Sequence, residues 1–497
     1  MNGILLAVAL NIVPWPKEVV EQFGCCTNEA VEYREDRSLP PEGYALEIRR
    51  DAVKVRSADA AGRFYAERTL AQLPKPYPCL RIADAPAFGW RGVHIDDCRH
   101  FFGKAIVKRT IDLMSEYKLN RLHWHLTDDQ GWRLDVPGYP DLVKYGAVRS
   151  QSRFMGGYDG TRYGPFYYTE AEILAYAAER QVTIVPEIEL PGHVYAALAA
   201  YPEFACVPEN LKSRDPRIEW GISKDVLCVG NDKAIRFMED VLDYVCRLFP
   251  GEVVHIGGDE CPSVRWKDCP KCRARMAAEG LADEHALQPW VTRHFVDFLA
   301  KRGKRAIGWD EYLAGDVPVS AMGMNWHVRP AKGSTSGLVP GVEAALRGHD
   351  IVMAPETWTY LDHGQGLDDD PFVGSSWVTL EKCYSFDPYM GAPEAARRHI
   401  LGGQCCNWSE HTSCFAELDW KMWPRTAAIA EALWTGEGRP GYRDFRRRMT
   451  VRRRDLIRRH VNCAPVPEDY PEVFMMPIAE DYVRAARAAY GQPDYAT

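Results

Sequence analysis

The chain has 497 residues, 46% of them hydrophobic and 26% charged, the proportions of an ordinary globular protein with room for one large barrel and a smaller domain. A formal net charge of −8 excludes a dedicated nucleic-acid binder, which needs a basic face, and no run approaches the roughly 20 apolar residues of a membrane-spanning helix. Fifteen cysteines, an odd number with adjacent pairs at Cys25-Cys26 and Cys405-Cys406, do not resemble the framework of a disulfide-stapled secreted domain.

Met1 to Leu10 is apolar but carries no Lys or Arg and no small-residue cleavage site. It reads as a first strand rather than a leader, which places the protein in the cytoplasm unless a leader was removed. Residues 1–85 read as a small α/β domain. Tyr44–Ile48 and Ala52–Val55 alternate like paired strands, Asp59–Leu73 has a helical apolar face, and the proline-rich stretch Pro74–Pro86 is a linker.

Residues 86–440 read as the main domain. Strand-like runs begin near Gly92, Arg121, Val182, Val253, Arg305, Val319, Ile351 and Ile400. Helices lie between them, such as Ile106–Tyr117 and Glu170–Arg180, the latter opened by the capping pair Thr169 and Glu172. Eight strands alternating with helices predict a (β/α)8 barrel of the TIM type, an α/β fold. Residues 441–497 are expected to form a helical segment packed on the barrel, with Arg446-Arg447-Arg448 and Arg452-Arg453-Arg454 on a solvated face.

In such a barrel the chemistry collects at the C-terminal ends of the strands. The first strand is followed by Asp96, Asp97, Arg99 and His100. The second runs into His123-Trp124-His125-Leu126-Thr127-Asp128-Asp129, and the third into Glu187, Glu189 and Pro191-Gly192-His193. His255-Ile256-Gly257-Gly258-Asp259-Glu260 closes the fourth and Gly308-Trp309-Asp310-Glu311 the fifth. Asn325-Trp326-His327 follows the sixth, Trp358, Tyr360 and Asp362 the seventh, and Asn407-Trp408-Ser409-Glu410 the eighth. Two adjacent carboxylates at a buried strand end resist joint ionisation, so Asp259 and Glu260 stand out as a working pair, and the two glycines before them allow a close approach.

From Pro41 to Trp434 this ordered set of motifs resembles glycoside hydrolase family 20, the β-N-acetylhexosaminidases. The resemblance implies retaining cleavage of terminal β-linked N-acetylglucosamine or N-acetylgalactosamine, with the substrate's own 2-acetamido group as nucleophile. It implies Glu260 as general acid/base and Asp259 as the carboxylate that orients the acetamide, with Asp259 expected to raise the pKa of Glu260. Tyr360 would hydrogen-bond the acetamido oxygen. Trp309, Trp326, Trp358 and Trp408 would wall the sugar, Arg99 would bind the 3- and 4-hydroxyls, and Asp362 and Glu410 the 4- and 6-hydroxyls. Asp128 and His193 would form a relay orienting Glu260. Two departures stand against the family pattern. Glu189 replaces the more usual Asp, with an expected effect on the hydrogen bonding of His193, and the N-terminal domain is short.

No cofactor or metal is expected. Cys261, Cys269 and Cys272 supply three thiols near one loop, and a structural zinc site needs four ligands. The expected partner is an oligosaccharide or glycoconjugate, with neither nucleic acid nor membrane, and a homodimer is left open. Three rivals accompany this reading. One is a metal-dependent hydrolase built on His123 and His125, another a glycan-binding barrel without catalysis, and the third a two-carboxylate glycosidase using Glu187 and Glu260. Epimer preference is expected to depend on the loops Ser150–Pro165 and Gly364–Ser376.

Overall fold

A computed structural model describes residues 10–154, 157–169, 172–366 and 376–466. Most of the expected first strand, parts of both specificity loops, the first two residues of the helix after Thr169 and the end of the C-terminal segment lie outside the described residues.

Within residues 10–85 the chain builds a five-stranded sheet. Its strands are β1 (Glu18–Cys26), β2 (Val31–Glu35), β3 (Tyr44–Ile48), β4 (Val53–Ser57) and β5 (Tyr77–Asp84), in the spatial order β1-β5-β3-β4-β2. β3 and β4 alternate buried and outward residues, the pattern of a sheet with one covered face. The cover is the helix Ala60–Leu70, whose first turn is capped by the Asp59 carboxylate accepting from the Gly62 amide.

Eight parallel strands then close a barrel. They are β6 (Trp90–Asp96), β7 (Arg121–His125), β8 (Thr183–Glu187), β9 (Val253–His255), β10 (Arg305–Trp309), β11 (Met322–Asn325), β12 (Ile351–Met353) and β13 (Ile400–Asn407). β13 pairs back onto β6 from Gly402↔Trp90 to Asn407↔Ile95. β11 starts at Met322 rather than near Val319, because Val319 is 61% exposed in the turn that precedes the strand. Apolar and aromatic side chains, among them Trp90, Ile307, Met324 and Val352, fill the barrel interior, so it is a packed core with its open face at the strand ends.

Buried charges key the small sheet to the barrel. Asp84, at the end of β5, accepts from Lys118 Nζ at 3.0 Å, Tyr44 Oη at 2.7 Å and Trp434 Nε1 at 2.9 Å. Arg91, fully buried on β6, pairs with Glu42 and donates to Phe88 O and Lys118 O.

The helix Tyr442–Arg458 corrects the expectation of a wholly solvated arginine face. Arg448 is fully buried and holds the Glu431 carboxylate at 2.7 and 2.8 Å, while also donating to Ile12 O. The helix is covered on two sides, by the N-terminal segment and by the barrel helix Arg425–Trp434, so one arginine of the run must face inward, where only a paired charge is tolerated.

Candidate active site

A cavity of about 360 Å³ opens at the C-terminal ends of the strands, within the size range of small-molecule sites. Arg99 reaches it from the loop after β6, His193 from that after β8, and Asp259 and Glu260 from that after β9. Trp309 ends β10 and Trp326 follows β11. Tyr360 and Asp362 come after β12, and Trp408 and Glu410 after β13.

Local backbone explains why the acidic pair sits where it does. Gly257 (φ +61°) and Gly258 (φ +95°) take left-handed conformations. A Cβ on Gly257 would meet Glu189 Oε2 at 1.7 Å, and one on Gly258 would meet Tyr312 Cβ at 2.6 Å. The two glycines therefore admit the protein's own groups rather than a ligand, and aim the next two residues into the cavity. Glu260 (φ +43°) and His193 (φ +48°) are themselves left-handed, a conformation that costs roughly 1–2 kcal/mol for a residue with a Cβ. Packing around the site holds both.

These two strained residues face each other. His193 Nε2 lies 3.4 Å from Glu260 Oε2 and 3.9 Å from Asp259 Oδ2, while Nδ1 lies 3.4 Å from Asp128 Oδ1 and 3.5 Å from Asp129 Oδ2. Burial opposes a charge on His193, but Asp128 and its other acidic neighbours prevail and hold its pKa well above the usual value. The cation then acts on its partners. Its hydrogen bond holds the Glu260 carboxyl below the ordinary range, with burial opposing. Burial pushes Asp259 up to about 6, His193 opposing and Glu187 and Glu260 adding. The expectation that Asp259 raises Glu260 is thus reversed in the free protein: the proton rests more readily on the better-buried Asp259.

Arg99 is 8% exposed and tightly held. It contacts Asp128 at 2.9 Å, Asp96 at 3.3 Å and Gln130 at 3.1 Å, with its guanidinium 5.1 Å from the Trp408 ring centre and 3.9 Å from Glu410. Asp128 lies behind the cavity rather than in its lining, where it braces Arg99 and His193 together. Glu410 and Asp362 are both raised by burial, the latter to about 6, opposed by Arg99 and Lys421 respectively.

The aromatic walls are pinned by hydrogen bonds beneath them. Trp309 Nε1 donates to Glu187 at 2.8 Å and Trp326 Nε1 to Glu311 at 2.9 Å. Asp310 accepts the Trp326 amide and binds His327 Nδ1 at 2.6 Å. Trp326 stacks on Tyr360, whose burial keeps its hydroxyl protonated. Trp358 is not part of the wall. In the helix Glu356–Thr359 it lies two residues from Glu356, which does line the cavity. Its ring sits on the opposite side under Lys382, packed on the core. Glu356, Trp220, His363 and His411 also line the cavity and were not singled out by sequence.

Glu187, His123 and His125 belong to a layer below. Glu187 is fully buried, accepts from Trp309 Nε1, and lies 2.7 Å from His255 Nδ1 and 3.0 Å from His123 Nε2. Burial alone would raise its pKa, but the surrounding histidines hold it well below normal. It is outside the cavity lining, so it cannot serve as a nucleophile on a sugar bound there. Glu189 bonds His125 at 3.3 Å rather than reaching His193. Its longer chain extends past Gly257 to that second histidine.

Cys261 does not join Cys269 and Cys272. Those two meet Cys206 and Cys228 instead.

Two family models cover the chain: "Glycosyl hydrolase family 20, catalytic domain" over residues 88–437 and "Glycosyl hydrolase family 20, domain 2" over residues 10–85. A β-hexosaminidase of Porphyromonas gingivalis is 41% identical over 83% of this chain, which spans only 54% of that protein. One from Akkermansia muciniphila is 33% identical over 92% of this chain and 94% of its own length. The solved GH20 exo-β-N-acetylglucosaminidase of Vibrio harveyi in complex with N-acetylglucosamine superposes with a TM-score of 0.82. That match has 28% identity and covers 93% of this chain and 79% of the other.

Proposed function

The chain belongs to glycosyl hydrolase family 20, and on that premise we propose that it is a retaining exo-β-N-acetylhexosaminidase acting by substrate assistance. It removes terminal β-linked N-acetylglucosamine or N-acetylgalactosamine from glycans. The observation that carries this reading is the cavity itself. Asp259 and Glu260 line it together with Tyr360, Trp309, Trp326 and Trp408, while the buried carboxylate Glu187 lies outside the lining.

Glu260 donates a proton to the leaving oxygen. Its side chain is 37% exposed, so a sugar closing the cavity strips water from it, and loss of water raises the pKa that His193 holds down. The 2-acetamido oxygen attacks the anomeric carbon while Tyr360 holds it in place. Positive charge then develops on the amide, and ionised Asp259 stabilises it in a water-poor site. Water opens the oxazolinium-like intermediate with Glu260 as base, which restores the acid. Arg99, Asp362 and Glu410 grip the ring hydroxyls, and fifteen cysteines without a disulfide framework favour a reducing compartment.

The test is release of chromophore from aryl N-acetyl-β-glucosaminide and N-acetyl-β-galactosaminide, with the anomeric configuration of the first-formed sugar read by NMR. Release of the β-anomer is expected. Inversion, or no release above background from correctly folded protein, overturns the assignment.

A further inference from the structure

Four thiols from two separate loops converge at one point behind the site. Cys206 follows the short turn Pro202–Phe204, and Cys228 lies on a segment that bridges back to it, with Cys228 N donating to Phe204 O at 2.9 Å. Cys269 caps the helix Pro270–Glu279 and Cys272 sits in its first turn. Their sulfurs are 3.7 Å apart for Cys206–Cys272, 3.6 Å for Cys228–Cys269 and 3.8 Å for Cys228–Cys272, and all four lie within 4.8 Å of one another.

These separations discriminate between chemistries. A disulfide would bring two sulfurs to about 2.05 Å. Tetrahedral zinc with Zn–S bonds of about 2.3 Å sets sulfur–sulfur edges of about 3.8 Å. We propose that Cys206, Cys228, Cys269 and Cys272 form a closed tetrathiolate site for one structural Zn²⁺ ion.

The surroundings fit that role. Cys228 and Cys272 are fully buried and Cys269 is 6% exposed, so several thiols in apolar surroundings would gain little without a cation. A Cβ on Gly230 would fall 2.2 Å from the Lys271 carbonyl carbon, so only glycine lets the two loops approach closely enough for their cysteines to share an ion. The helix N-terminus at Pro270 presents its positive end to the thiolates, and Lys271 adds a charge.

None of the four thiols lines the catalytic cavity, and four protein ligands leave no open position for substrate or water, so the ion is structural. It fastens the loop after β8, which carries His193, to the segment after β9, which carries Asp259 and Glu260. The two are also tied by Trp266 Nε1 donating to Leu227 O at 2.9 Å, and Leu227 N in turn donates to Pro191 O at 3.0 Å within the first loop. The ion thereby keeps the His193–Glu260 contact in register.

The test is metal analysis of the full chain purified in reducing buffer without added metal. About one zinc per chain is expected, falling below about one tenth in Cys228→Ser and Cys272→Ser and unchanged in Cys261→Ser. Since the serine variants can misfold, the wild-type chain is also titrated with an organomercurial. One zinc should be released into a chromogenic chelator as four thiols react, with a fall in thermal midpoint. Zinc absent from folded protein, stoichiometric iron in its place, or disulfide-linked peptides pairing these four cysteines would overturn the proposal.

Discussion

Asp259 and Glu260 are adjacent in the chain and opposite in behaviour, because one is enclosed and the other leans on a histidine cation. Replacing Glu260 with Gln should slow substrates with poor leaving groups far more than activated aryl glycosides, since only the former need the proton. Steady-state kinetics across a leaving-group series reads this directly. Replacing Asp259 with Asn should slow both classes by about 10²–10³-fold, the scale of losing one preorganised electrostatic partner, without rescue by azide. The pH profile carries a sign. In the proposed mechanism Asp259 works as the carboxylate, and burial pushes its pKa up to about 6, so kcat/KM should fall as pH drops through that value, and the Asn variant should lose this acid limb. The acidic pair, Arg99 and the tryptophans after strands were legible in sequence because each lies within a few residues of a strand end. Trp220 was not, as it reaches the cavity from the middle of a long irregular loop. Trp358 misled because a single helical turn separates the faces of residues two apart.

Elements place these residues, and the turn leaving β9 is the most demanding of them. Gly257→Ala forces a Cβ onto Glu189 and a side chain into a left-handed conformation. It should lower both kcat and stability, the latter by at least about 1–2 kcal/mol as read by urea unfolding. Gly348→Ala is the control. It shares a positive φ of +99° but its Cβ would meet nothing within 4 Å, so it should lose stability with kcat intact. Seven of the eight barrel strands begin within two residues of where apolar runs and flanking turns put them. The short β11 was displaced because Val319 is apolar yet sits in the exposed turn before it. Three strands of the N-terminal sheet were harder to read: β1 and β2 are largely exposed and offer no clean alternation, and β5 runs through the proline-rich stretch expected as a linker.

At the scale of the whole molecule, buried charges fasten the small sheet to the barrel, and the Asp84–Lys118 pair is the one buried on both sides. Asp84→Ala would leave Lys118 charged and fully buried without its partner. Such a loss costs about 3–5 kcal/mol, so the thermal midpoint should fall clearly while kcat of the folded protein at low temperature stays the same. Contacts of this kind join residues 34 or more apart, and no local pattern announces them. The same holds for the four thiols. Cys269 and Cys272 are visible as a short motif, but their partners at 206 and 228 meet them only through the packing of two barrel loops. The proposed mechanism unites these scales, since it asks the barrel to deliver an acid and an acetamide-holding carboxylate to one sugar, with the nucleophile left to the substrate. The most direct measurement is the ratio of kcat/KM for an aryl N-acetyl-β-glucosaminide to that for the matching aryl β-glucoside. Loss of the acetamide should cost more than about 10³-fold, because it removes an intramolecular nucleophile already held in position. Comparable rates on the two sugars, or a glycosyl ester trapped on any carboxylate of the protein, would contradict the account.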